Sequence, residues 1–97
     1  MMADVDIIDS MFFAMTKIWQ NACQSGIEPV KIRRGYREID LGEWKIRKYV
    51  WGSKIRFEVD NGIEQSFIER VGDTYRRHGS WDVLQMFLVW SENEGLM

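Results

Sequence analysis

Between Arg33 and Gly62 the chain reads RRGYREIDLGEWKIRKYVWGSKIRFEVDNG, in which apolar and polar side chains alternate with a period of two over consecutive runs. That period commits the middle of the chain to β-strands with one covered and one wet side. Ile39, Leu41, Trp44, Ile46, Val50, Ile55, Phe57 and Val59 fall on the covered side. Lys45, Arg47, Tyr49, Lys54, Arg56 and Glu58 fall on the wet one, the pattern of an antiparallel sheet packed on one face only. The strands run over 37–41, 43–50 and 54–59. Gly42 supplies a bulge or turn and Trp51-Gly52-Ser53 a hairpin connection. Val30–Arg33 reads as a short edge strand or extended lead-in after Pro29.

The flanks have a different period. From Asp6 to Ser25, Ile8, Met11, Phe12, Met15, Ile18, Trp19 and Ala22 recur at helical spacing, with Phe13 on the opposite face among Asp6, Asp9 and Lys17. After the strands, Asn61 followed three places on by Glu64 has the form of a helix N-cap. Phe67, Ile68, Val71 and Tyr75 then suggest a helix over 63–78. Ser80 and Asp82 open a last helix to about Asn93, whose Met86 and Val89 fall outside its apolar arc and are candidates for a partner or dimer contact. The expected fold is therefore α+β, a three-stranded antiparallel sheet with two or three helices packed on one face, in the order α-β-β-β-α-α. The 97 residues read as a single domain, 1–97.

Charge is segregated along the chain. Residues 1–28 sum to −3, residues 29–62 to +4 and residues 63–97 to −3, so a basic sheet stands between acidic flanks. An acidic amino end and the lack of an apolar run near the roughly 18 residues of a spanning helix suggest a cytoplasmic chain with no membrane partner. The single Cys23 suits a reducing compartment.

The search for chemistry is negative. The sequence holds no Gly-rich phosphate loop, G-x-S-x-G, C-x-x-C or H-E-x-x-H. Asp4, Asp6 and Asp9 lack the glycine turn and later glutamate of a calcium loop. The expectation is a non-enzyme without cofactor or metal.

Two binding readings compete. Carboxylates recur at spacings that cost stability: Asp6 and Asp9, Glu38 and Asp40, and Glu69 with Asp73 on the expected helix. With Phe13 as an apolar anchor, these seven residues suit a non-catalytic module that binds a larger protein with a basic surface. Such a module would inhibit a nucleic-acid-handling protein by charge mimicry. In genre this is similar to phage anti-defence and anti-CRISPR inhibitors or toxin-immunity proteins, and a homodimer is compatible with it. The alternative is a nucleic-acid-binding domain using the wet face, with Lys45, Arg47, Tyr49, Lys54 and Arg56 as phosphate contacts and stacking platform. The order helix, three strands, helix over residues 6–78 also resembles the topology of the double-stranded RNA-binding domain. Where that family has a lysine cluster opening its second helix, this chain has Glu64 and Glu69, so no site residue carries over.

Overall fold

The computed structural model describes the backbone of residues 3–97 and the side chains from Ile7 onward. Helix α1 (Ala3–Gln24) is followed by β1 (Val30–Arg33), β2 (Tyr36–Asp40), β3 (Lys45–Trp51), β4 (Lys54–Asp60), β5 (Gln65–Val71) and β6 (Thr74–Gly79), and α2 (Trp81–Asn93) closes the order. The strands form one six-stranded sheet in the order β1-β2-β3-β4-β5-β6, each antiparallel to its chain neighbours.

This corrects the expected three-stranded sheet with two or three helices. Residues 63–78 are not a helix: they hold most of the β5–β6 hairpin, and the double-stranded RNA-binding topology goes with the lost helix. The cause of the misreading is visible at Asn61. Its Oδ1 accepts hydrogen bonds from the N–H groups of Ile63 at 2.9 Å and Glu64 at 2.8 Å, the donors a helix N-cap would satisfy. Here the motif instead closes a turn between strands, because an Asx side chain serves both geometries equally well. The β5 pattern also hid its period: its covered face holds Ser66, Ile68 and Arg70, while Phe67 and Val71 stand on the wet face.

The strands from 36 to 60 keep the predicted alternation of faces, although Val50, expected under cover, is 42% exposed. Ile39, Ile46, Phe57 and Val59 are at most 1% exposed on the covered side, where they meet Met15, Ile18, Leu84 and Phe87 from the helices. Helix α1 lies chiefly over β5 and β6, and α2 over β4 and β5. Phe12 and Trp19 reach Phe57 with ring centroids 5.4 and 6.3 Å apart, and Trp44 meets Phe87 at 5.3 Å, so aromatic pairs join the layers. Ser80 caps α2, its side chain accepting from the N–H of Val83. The tail after α2 is tied back by Asn21, whose Nδ2 donates to the carbonyl of Leu96 at 2.7 Å.

Two glycines are required by geometry. Gly35, at φ +76°, closes the β1–β2 turn, and a Cβ there would lie 2.5 Å from the carbonyl oxygen of Val50. Gly79, at φ +88°, passes so close to Ser66 that a Cβ would meet its Oγ at 2.7 Å.

Candidate protein-docking surface

The sheet presents its wet face as a charge lattice, and antiparallel register is what builds it. Reading across strands, Glu38 faces Arg47, Arg47 faces Glu58, Glu58 faces Phe67 and Phe67 faces His78. One step along, Tyr36 faces Tyr49, Tyr49 faces Arg56, Arg56 faces Glu69 and Glu69 faces Arg76. Arg47 sits among three acids, with Nε 2.8 Å from Glu38, Nη2 2.9 Å from Asp60 and Nη1 3.7 Å from Glu58. Burial alone would push its guanidinium down. The hydrogen bonds it donates to Glu38 and Asp60 outweigh that and hold it above the usual arginine value.

Glu69 is the inverse, a 4% exposed carboxylate among three bases: Lys54 at 3.3 Å, Arg56 at 3.4 Å and His78 at 3.4 Å. Burial raises its pKa, but the hydrogen bond and charge of Lys54, with Arg56 and His78, bring it below the ordinary glutamate value. Phe67 lies between the Arg56 guanidinium, 4.0 Å from its ring centre, and the His78 ring, stacked at 4.5 Å.

This lattice decides where the sequence candidates stand. Glu38 and Glu69 are held in ion pairs, and Glu69 belongs to a strand while Asp73 sits in the exposed β5–β6 turn, so no helical carboxylate row joins them. Asp40 is exposed, its Oδ1 accepting from the N–H of Gly42 at 2.8 Å. Of the alternative nucleic-acid set, Arg47, Lys54 and Arg56 are paired with acids. Lys45 faces both Asp40 and Asp60 in the register, and Tyr49 packs edge-on against Tyr36. The wet face is thus close to neutral across its middle strands.

Asp9 is half-buried on α1, and Asp6 lies outside the residues whose side chains are described. Phe13 is 54% exposed, with its ring 6.2 Å from Phe12 and 6.1 Å from Tyr75. It leans on the β6 side of α1, and part of its surface is left to solvent.

The helical layer holds the larger apolar surface. Val83, Leu84, Phe87 and Ser91 turn α2 into the core, which leaves Met86 at 54% and Val89 at 59% exposure on the opposite side. Grooves run on both flanks of this ridge. One, of about 540 Å³, lies between the helices and is lined by Ile7, Met11, Ala14, Trp81, Leu88 and Val89. The other, of about 740 Å³, lies between α2 and the β2–β3 connection and is lined by Trp44, Asp82, Met86, Val89, Trp90 and Asn93. The indole N–H of Trp90 donates to Glu43 and fixes that wall. Met86 and Val89 were legible as surplus apolar residues. Ile7 and Trp81 were not, because a groove between two helices leaves no signature in either helix alone.

Asp82 stands at the rim, lining the second groove, and helix α2 carries Asp82 and Glu92 and no base. Among the described residues, no group of three His, Cys, Asp or Glu side chains could hold a metal ion, and no helix is long and apolar enough to cross a membrane. No protein-family model, curated protein or solved structure matches this chain.

Proposed function

We propose that the chain is a non-catalytic protein-binding module that docks its helical layer onto a larger protein with a basic surface. The observation that carries this reading is the Met86–Val89 ridge, an exposed apolar strip between two grooves with Asp82 at its rim, on a helix that carries no base. A ridge between grooves suits knob-and-hole packing against a partner helix. The acidic rim selects partners by charge and speeds encounter with a basic surface. Two copies of the same rim repel, so a heterologous partner fits better than a second copy. Nucleic-acid-handling proteins carry basic surfaces of this kind, and a module seated on one would act as an inhibitor by occlusion.

The test is affinity capture from the source cell with the wild-type chain and with Met86→Glu/Val89→Glu. Both positions are exposed, so the double variant should unfold at the same urea concentration as wild type. It should also lose the captured basic protein, because centrally placed apolar anchors cost about 2 kcal/mol or more when removed. Capture that survives the double variant removes the ridge from the function. A concentration-dependent dimer abolished by the same variant would make the ridge a self-contact instead.

A further inference from the structure

The covered face of the sheet is not covered along its whole width. Its central row runs Lys31, Arg37, Lys48, Phe57, Ile68, Arg77 from β1 to β6. Phe57 and Ile68 lie under the helices at 1% and 0% exposure, but the helices pack on β4 to β6 and leave the β1 end open. There three cations stand directly opposite one another on adjacent strands, an arrangement that costs stability. The β1–β2 hairpin adds to it: Lys31-Ile32-Arg33-Arg34-Gly35-Tyr36-Arg37 carries four cations and no acid. Among the described residues, Lys31, Arg33, Arg34, Arg37 and Lys48 form no ion pair, although Arg47 on the same sheet gathers three acids.

Aromatic surface accompanies these cations. The carbonyl of Gly35 accepts the Val50 N–H at 2.8 Å, which brings the hairpin turn beside the end of β3, where Trp51, paired with Lys54 and so on the wet side of the sheet, is 59% exposed just around the turn from Arg37 and Lys48. The Arg33 guanidinium lies 5.1 Å from the ring centre of Tyr36, and the Lys48 ammonium lies 5.8 Å from that of Trp19. A cleft of about 260 Å³ opens between Trp19, Gly35, Arg37, Lys48 and Val50. Strand β1 is an edge with every residue exposed. The strip is therefore reachable from the face, the edge and the turn.

We propose that this open end, from Lys31, Arg33, Arg34, Arg37 and Lys48 to Trp51, binds single-stranded nucleic acid. The unpaired cations follow a phosphodiester backbone around the β1 edge, and Trp51 offers a π-face to a base, the combination that sequence-tolerant single-strand binders use. An acidic peptide would use the cations and leave Trp51 idle. A duplex, whose bases are stacked inward, would do the same. The site is separate from the helical ridge, and it is a different set of residues from the paired cations of the wet face.

The experiment is fluorescence anisotropy with a labelled oligothymidylate, a labelled duplex and labelled polyglutamate as probes, titrated with the full chain between about 50 and 200 mM salt. Expected is binding of the oligothymidylate in preference to the other two, weakening with salt. For Arg33→Gln/Arg34→Gln/Arg37→Gln/Lys48→Gln, affinity should fall by about tenfold or more and the salt slope by roughly 0.7 per cation removed. Trp51→Leu should weaken binding with the slope unchanged, whereas Lys17→Gln/Lys45→Gln, which removes cations elsewhere, should leave it intact. All variants alter exposed or half-exposed side chains, and circular dichroism verifies their fold. No binding, tighter binding of duplex or polyglutamate, or indifference to the quadruple variant overturns the proposal, and the cations are then guards that keep the open β1 edge from pairing with other chains.

Discussion

The two faces of the sheet treat arginine in opposite ways. On the wet face Arg47 meets Glu38, Glu58 and Asp60, and the neighbouring row places Glu69 beside Lys54 and Arg56. On the other face Arg37 meets Lys31 and Lys48. Both arrangements come from the same strands, since the residues alternate along β2 and β3. What differs is the pairing partner that the register delivers. A basic sheet, as net charge describes it, is thus a neutralised lattice on one side and an uncompensated strip on the other. Only the register distinguishes charges that hold the fold from charges free to hold something else.

The comparison breaks most visibly at Arg47. Arg47→Met leaves three acids facing one another on the wet face. The side chain is 17% exposed, between the surface and the buried limits, so the expected loss is about 2–3 kcal/mol in urea or thermal unfolding. A loss below about 0.5 kcal/mol would put this pair with ordinary surface ion pairs and erase the contrast between the faces.

Acid sharpens it next. The Glu69 carboxyl titrates in the folded chain below its ordinary value, since the hydrogen bond and charge of Lys54, together with Arg56 and His78, overcome the rise that burial alone would cause. Its contribution is therefore fully present above the unfolded glutamate value of about 4.3, and is lost as pH falls through the lowered folded value. Asp60, lowered by the Gly62 N–H despite some burial and further by Arg47, loses its contribution in the same direction. Glu69→Gln should cost about 1–2 kcal/mol at neutral pH and flatten the acid limb of the stability profile. Equal acid limbs for wild type and variant would show that Glu69 gains nothing from its bases.

Much of this was legible in advance and some was not, for identifiable reasons. The faces of residues 36–60 could be read because Ile39, Ile46, Phe57 and Val59 alternate with polar residues, despite Arg37 and Lys48 on the same side, and a one-residue slip would have exposed Phe57. Helix α2 could be read from Ser80 and its apolar run, and the surplus of Met86 and Val89 pointed to the ridge. The β5–β6 hairpin could not, because Asn61 caps a turn in the manner of a helix, and the turn at Gly72-Asp73 falls inside the span whose apolar residues have helical spacing. Losing the hairpin mattered for the site. It supplies Glu69, which neutralises Lys54 and Arg56, and without that strand neither cation has its partner in view. Cross-strand partners are set by register, and sequence spacing within one strand does not report them.

The smallest effect concerns that row. Lys31, Arg37 and Lys48 repel across β1, β2 and β3, and opposed like charges cost on the order of a few tenths of a kcal/mol. Arg37→Gln, at the centre, relieves two contacts at once without leaving an orphaned acid. It should therefore stabilise the chain by about 0.2–0.5 kcal/mol at low salt. The gain should fade as salt screens the wild-type repulsion, because exposed charges lose most of their interaction beyond a Debye length of about 8 Å at physiological ionic strength. Sign carries the information here. A gain that vanishes with salt shows a cation kept at a cost to the fold, which calls for a ligand to account for it. A loss at every salt concentration would mean that Arg37 holds the β1 edge in place, and the strip would then belong to the same structural lattice as Arg47.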